Sequence, residues 1–181
     1  MKIYFCLLMC MIGSLNAHAD EMKDHVQHNL PVSDSRQMLS YPPDVRAHAL
    51  ANMRSHLKAL SEMMIAFANG KYTEAADIAD SHLGMESTGA TACKPDTMKK
   101  AMETNMKILP MTETDHLNHQ MAQLMPERMR ELGQNMHKSA NDFAAKARDA
   151  AKDSKYVQDA ALALARIPQN CVACHDAYRM Q

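Results

Sequence analysis

Residues 157–180 read VQDAALALARIPQNCVACHDAYRM, with apolar or small side chains at Val157, Ala160, Leu164, Ile167, Cys171, Cys174 and Tyr178. Steps of three and four alternate along this stretch, the period of one buried face of an α-helix rather than of a strand. It predicts a long amphipathic helix with both cysteines on its apolar seam.

The same alternation recurs upstream. Leu50, Met53, Leu57, Leu60, Met64 and Phe67 form a seam on a first helix that starts near Asp44 and stops at Asn69-Gly70. A second helix runs from about Tyr72 to Leu83, where the Gly-, Pro- and Thr-containing stretch Gly84 to Asp96 reads as a loop. Met98, Met102, Met106 and Leu109 resume a helical stripe before Pro110, and a short helix is expected from Thr114 to Leu124. Met125, Met129, Leu132, Met136, Phe143 and Ala147 then mark a long helix, with Pro126 at a favourable first-turn position. Three long helices and one broken one, joined by short connections, predict an all-α chain folded as an up-and-down four-helix bundle over residues 43–181.

Composition agrees. The 181 residues include 18 Met, 5 Gly and no Trp, and aromatics make up 4% against 46% hydrophobic residues, a balance that favours helix and a single core. The first residues, MKIYFCLLMCMIGSLNAHAD, place one lysine before an apolar run and end in Ala17-His18-Ala19, the small-x-small pattern of an export signal; cleavage is expected after Ala19. Domain limits follow: a signal peptide over 1–19, a polar leader over 20–42 that is extended or mobile, and the bundle over 43–181. Loss of Lys2 moves the formal charge from -1 to -2, and loss of Cys6 and Cys10 leaves three of five cysteines. A charge so near neutral gives no reason to expect nucleic acid as a partner. No later segment has the roughly 20 apolar residues of a membrane helix, so the mature chain is expected to be periplasmic and not inserted in a membrane.

The motif CVACH adds chemistry to the last helix. Residues three and four apart share a helix face, so Cys171, Cys174 and His175 project together. Two thiols at this spacing can each add across a vinyl group of haem to form thioethers, while the adjacent imidazole supplies an axial iron ligand. A thioredoxin-like dithiol calls for a preceding strand and a βαβ setting, and none is visible. A structural zinc site wants four ligands, and Cys93 is the only further cysteine of the mature chain. A disulfide across three residues of one helix has poor geometry. One covalently attached haem c is the expected cofactor.

On these residues, CVACHDAYR in the last helix of an exported helical chain resembles the cytochrome c-prime family. The resemblance implies that haem lies inside the bundle, bound by Cys171 and Cys174 with His175 as axial ligand, and that Arg179 sits near the histidine's side of the haem. It implies that the first helix covers the opposite face. There the stretch GKYTEAA, read as the family's first interhelical turn, selects Met53 as the distal residue, whereas counting from Arg46 selects Leu50. A Met53 ligand implies one-electron transfer with soluble or membrane redox proteins; Leu50 implies a five-coordinate iron that binds nitric oxide or carbon monoxide. His56 offers a bis-histidine alternative, rotated by about 60° from Met53 on a helix. The family also pairs through its first two helices, so a homodimer is implied. No motif for a substrate pocket is visible and no enzymatic activity is expected. His116, His119 and Met121 suggest copper(I) binding as a further alternative, because thioethers and imidazoles suit that ion.

Overall fold

The structure, a computed structural model, describes residues 33–94 and 112–181. The export signal with its cleavage after Ala19, most of the leader, and the Met98–Leu109 stripe lie outside those residues. The chain divides at Asp34, and every element below belongs to the unit Ser35–Gln181. The described chain is mostly helical. It runs β1 (Gln37–Leu39), α1 (Pro43–Ala68), α2 (Tyr72–Ile78) with a π-helical turn over Ala79–Leu83, a 3-10 segment over Thr88–Cys93, α3 (Glu113–Leu124), α4 (Glu127–Lys152), a 3-10 turn over Ser154–Tyr156, α5 (Val157–Ala177) and β2 (Tyr178–Met180).

Helix limits follow from local chemistry. Pro43 opens α1, where a missing N–H costs nothing, and Gly70 closes the exit with φ 73°, which L side chains adopt reluctantly. At α3, the Thr112 hydroxyl accepts from Asp115 N at 3.2 Å and Asp115 accepts from Thr112 N at 3.1 Å, a reciprocal cap. Before α5, Asp153 accepts from Lys155 N at 3.0 Å. Pro168 sits inside α5 and withholds the N–H that Leu164 O would receive.

Two apolar clusters hold the elements together. The first is rich in alanine: Ala75, Ala76 and Ala79 meet Ala140, Ala144 and Ala147 around Phe143, Met63 and Ile167. Small side chains let α2 and α4 approach closely, since interaxial distance follows side-chain size. The second cluster joins Leu39, Val45, Ala49, Cys93, Met121, Met125, Met129, Leu132 and Tyr178. α1 packs on α2, the π turn and α3, while α5 packs chiefly on α4.

The α1 seam behaves differently from the expectation. Inside the protein lie Val45, Ala49, Ala59, Met63 and Ala66, whereas Leu57 is 67% exposed and Met64 and Ile65 are also exposed. Leu50, Met53, Leu57 and Leu60 line a cavity, and Leu60 and Phe67 also pack against the alanine-rich cluster. The described end of the leader is extended and paired. Gln37–Leu39 pairs in parallel with Tyr178–Met180, in the register Gln37 to Tyr178, Met38 to Arg179 and Leu39 to Met180. Among the described residues, no helix is long and apolar enough to cross a membrane.

Candidate cofactor site

A cavity of about 490 Å³ lies between α1 and the last turns of α5. That volume is within the range of small-molecule and cofactor sites. One wall carries Cys171, Cys174 and His175; the other carries Leu50, Met53, His56, Leu57 and Leu60; Met121, Met125, Met129 and Met136 line it from α3, α4 and the turn between them. The expected site residues of two distant stretches thus meet around one volume. Leu50 and Met53, the two alternatives for the distal position, stand on the same wall.

The motif straddles the two cores. Cys171 packs against the alanine-rich cluster and Cys174 against the methionine-rich one. Both thiols are half-buried and neither is in a disulfide. Burial pushes the Cys171 thiol up; burial and then the neighbouring Cys171 push Cys174 up. Thiols so placed are protonated near neutral pH, the opposite of the low-pKa thiolate that makes a dithiol oxidoreductase reactive. His175 stands on the exposed side of the helix at the cavity edge, and Val172 beside it is 57% exposed. Arg179 belongs to β2 and is half-buried.

Two unpaired thiols and an imidazole line an apolar volume, a donor set that could hold haem. An alternative metal reading around His116, His119 and Met121 meets divided surroundings: His116 is exposed, His119 Nε2 lies 2.9 Å from Gln123 Nε2, and Met121 is turned into the core and lines the cavity.

Residues that local spacing does not single out complete the walls. His137 is 1% exposed and its Nδ1 donates to Leu83 O at 2.7 Å, a carbonyl at the end of the π turn. The His56 ring stands edge-on to it, 5.5 Å between centroids at 85°. His56 Nε2 is buried with no hydrogen-bond partner, and burial, then the His137 charge, lower its pKa to about 4. Gly89 lies against that ring: a Cβ there would collide with Nε2. Cys93 is buried against Gly133, its thiol pushed up to about 11 by burial and then by Cys174, and it lines the same cavity. Tyr41 Oη donates to Met129 Sδ at 3.8 Å. These contacts join residues 41, 56, 93, 133 and 137, which no periodic pattern along the chain brings together.

No protein-family model, no curated protein and no solved structure matches this chain.

Proposed function

We propose that this chain is an exported, single-haem c-type cytochrome of the cytochrome c-prime kind, folded as an up-and-down four-helix bundle, whose task is one-electron transfer to and from other redox proteins of the periplasm. The observation that carries the reading is the convergence of Cys171, Cys174 and His175 with the α1 residues Leu50, Met53, Leu57 and Leu60 around one apolar cavity. In this reading Cys171 and Cys174 would hold the haem through thioether bonds, His175 would bind its iron through an imidazole nitrogen, and Met53 would supply a second iron ligand through its thioether sulfur. When bound, the haem contributes a one-electron iron couple, and a thioether opposite imidazole raises its potential.

The protein's own contribution is an environment. The apolar walls exclude water and lower the local dielectric, and the two covalent tethers prevent loss of the group. The α1 stripe then has an apolar surface to pack on, which accounts for an otherwise exposed Leu57. No side chain is required as a general acid or base.

Leu50 supports a second reading. It lines the same wall as Met53, three residues earlier on α1, and an apolar side chain over the iron leaves the position open to nitric oxide or carbon monoxide.

The test is the absorption spectrum of the protein made in a periplasm that has a haem-attachment system, ferric and then ferrous, with and without carbon monoxide. A low-spin ferrous spectrum that ignores carbon monoxide is the expected result. A high-spin spectrum that shifts with it would assign the distal face to Leu50, and absence of covalent haem would remove the reading altogether.

A further inference from the structure

The segment before α1 meets the α5 terminus at the attachment motif. α5 ends at Ala177, so His175 lies in its last turn, where carbonyls lack helical donors and the backbone frays unless something caps it. Two donors do so here. Tyr178 N bonds Cys174 O, and Arg36 Nη1, from outside the helix, donates to His175 O at 3.4 Å. Beyond the helix, β2 lies beside β1, and Gln181 N extends the contact to Leu39 O at 3.3 Å.

A pair of three-residue strands has little stability of its own. This pair is anchored from beneath. Leu39 is 5% exposed and Tyr178 9%, and both belong to the cluster against which Cys174, Ala177 and Met180 pack. Met180 also lines the cavity. The Arg36 contact and the ladder therefore tie the backbone at the His175 carbonyl and again three residues on to a segment 139 residues earlier in the chain.

We propose that Arg36–Ser40 is a clasp that positions His175, with Arg36 and Leu39 acting through the backbone of the α5 terminus. The inference rests on the haem reading above, because it assigns the clasp to the axial ligand. The ring of a ligand can point no more steadily than the Cα that carries it, and metal ligands depend on outer contacts for orientation. The clasp supplies this from the end of a leader that the sequence reads as extended or mobile.

The experiment uses the full chain carrying its covalent haem. Leu39→Asp places a carboxylate in the anchor, Leu39→Ala weakens the same anchor without a charge should the first variant not accumulate, and Arg36→Ala removes the donor to His175 O. Phe143→Leu disturbs the alanine-rich core, to which neither Leu39 nor Tyr178 belongs, as a control. Three quantities are read: covalent haem by alkaline pyridine spectrum, amide exchange of residues 178–181, and the ferric electron paramagnetic resonance spectrum. The expected result is wild-type haem content, faster exchange in the Leu39 variants, and an iron signal split into more than one axial population. Arg36→Ala should give the same splitting to a smaller extent, and Phe143→Leu a single population. Faster exchange with an unchanged iron signal would overturn the clasp alone, as would the same splitting in Phe143→Leu. A parent protein without covalent haem would overturn both the clasp and the reading beneath it.

Discussion

The two ends of the described unit are built from different residues. Around Phe143, alanines of α2, α4 and α5 close the space between helices, and Ala75, Ala76, Ala79, Ala140, Ala144, Ala147 and Phe143 are fully buried. Around the cavity, long thioethers at Met121, Met125 and Met129, themselves packed in the second cluster, stand beside imidazoles and thiols. Small side chains let helices touch; flexible, polarisable ones can line a volume shaped for something else. The attachment motif sits at the junction, one thiol in each cluster. The contrast matches the proposed reading, in which one end supplies stability and the other holds the haem, and variants should separate these roles.

The sharpest separation is chemical. Cys171→Ser with Cys174→Ser should abolish covalent haem, read as loss of the pyridine haemochrome spectrum from acid-acetone-washed protein, while the far-ultraviolet helical signal remains. Both thiols are only half-buried, so serine leaves the alanine-rich core intact. Retention of covalent haem by the double variant would break the assignment of the cavity end.

At the other end the expected effect is on stability. Phe143 is fully buried, with its ring against Phe67 at 5.8 Å between centroids. Phe143→Ala should cost about 3–5 kcal/mol through lost transfer energy and the cavity left behind. Urea unfolding of the protein would read this as a lower midpoint with an unchanged slope. A loss well under 1 kcal/mol would mean that the alanine-rich cluster collapses around the gap and is not tightly packed.

How much of this contrast was legible beforehand follows from the range of the forces involved. Helix α5, the end of α3 at Leu124 and the long α4 follow from spacing and Pro126, all local signals, whereas α3 starts at Glu113 and not Thr114 because Thr112 caps it, which periodicity does not reveal. Cys171, Cys174 and His175 are singled out by a motif of five consecutive residues, and the structure places all three along the cavity. The α1 seam was read correctly as apolar but not as to what it faces, because periodicity identifies a stripe and says nothing of whether a helix or a cavity lies opposite. β1 was invisible: three residues inside a polar leader carry no periodic signal, and their pairing depends on Tyr178–Met180 at the far end of the sequence. The His56–His137 contact depends on the π turn that delivers Leu83 O to His137, a tertiary event without a sequence signature.

That imidazole pair gives the cavity end a pH response that the alanine-rich end lacks. His56 has its pKa lowered to about 4 by burial and then by His137, and burial lowers His137 as well. In the unfolded chain these groups titrate near the usual histidine value of about 6.5. Below that value the unfolded state binds protons that the folded state refuses, so the stability from neutral His56 is complete above about 6.5 and is lost as pH falls towards about 4. Urea midpoints of the haem-free protein should therefore decline across that window, and His56→Gln should make the decline shallower. An identical slope in the variant would show that carboxylates elsewhere control the acid limb.

The smallest effect is expected at the surface of the well-packed end. Arg148 bridges Asp80 at 2.7 Å and Asp77 at 2.9 Å, joining α4 to α2 and the π turn, and these two partners raise its pKa. Asn141 adds a bond to Asp80 at 2.7 Å and accepts from Met85 N at 2.9 Å, so the polar cluster looks substantial on paper. Its side chains are nevertheless well exposed, at 40% for Arg148, and solvent screens exposed pairs while ordering a long side chain costs entropy. Arg148→Ala should lower stability by no more than about 1 kcal/mol, and added salt should shrink the difference between parent and variant. Asn141 is another matter, because its amide links the π turn and the following loop to α4 from a half-buried position, and Asn141→Ala should cost more than Arg148→Ala. If the order of these two variants is reversed, the ion pairs rather than the buried amide hold the π turn. The position of Leu83 O, and through it His137 in the cavity wall, would then depend on ionic strength, joining the two ends that the other variants separate.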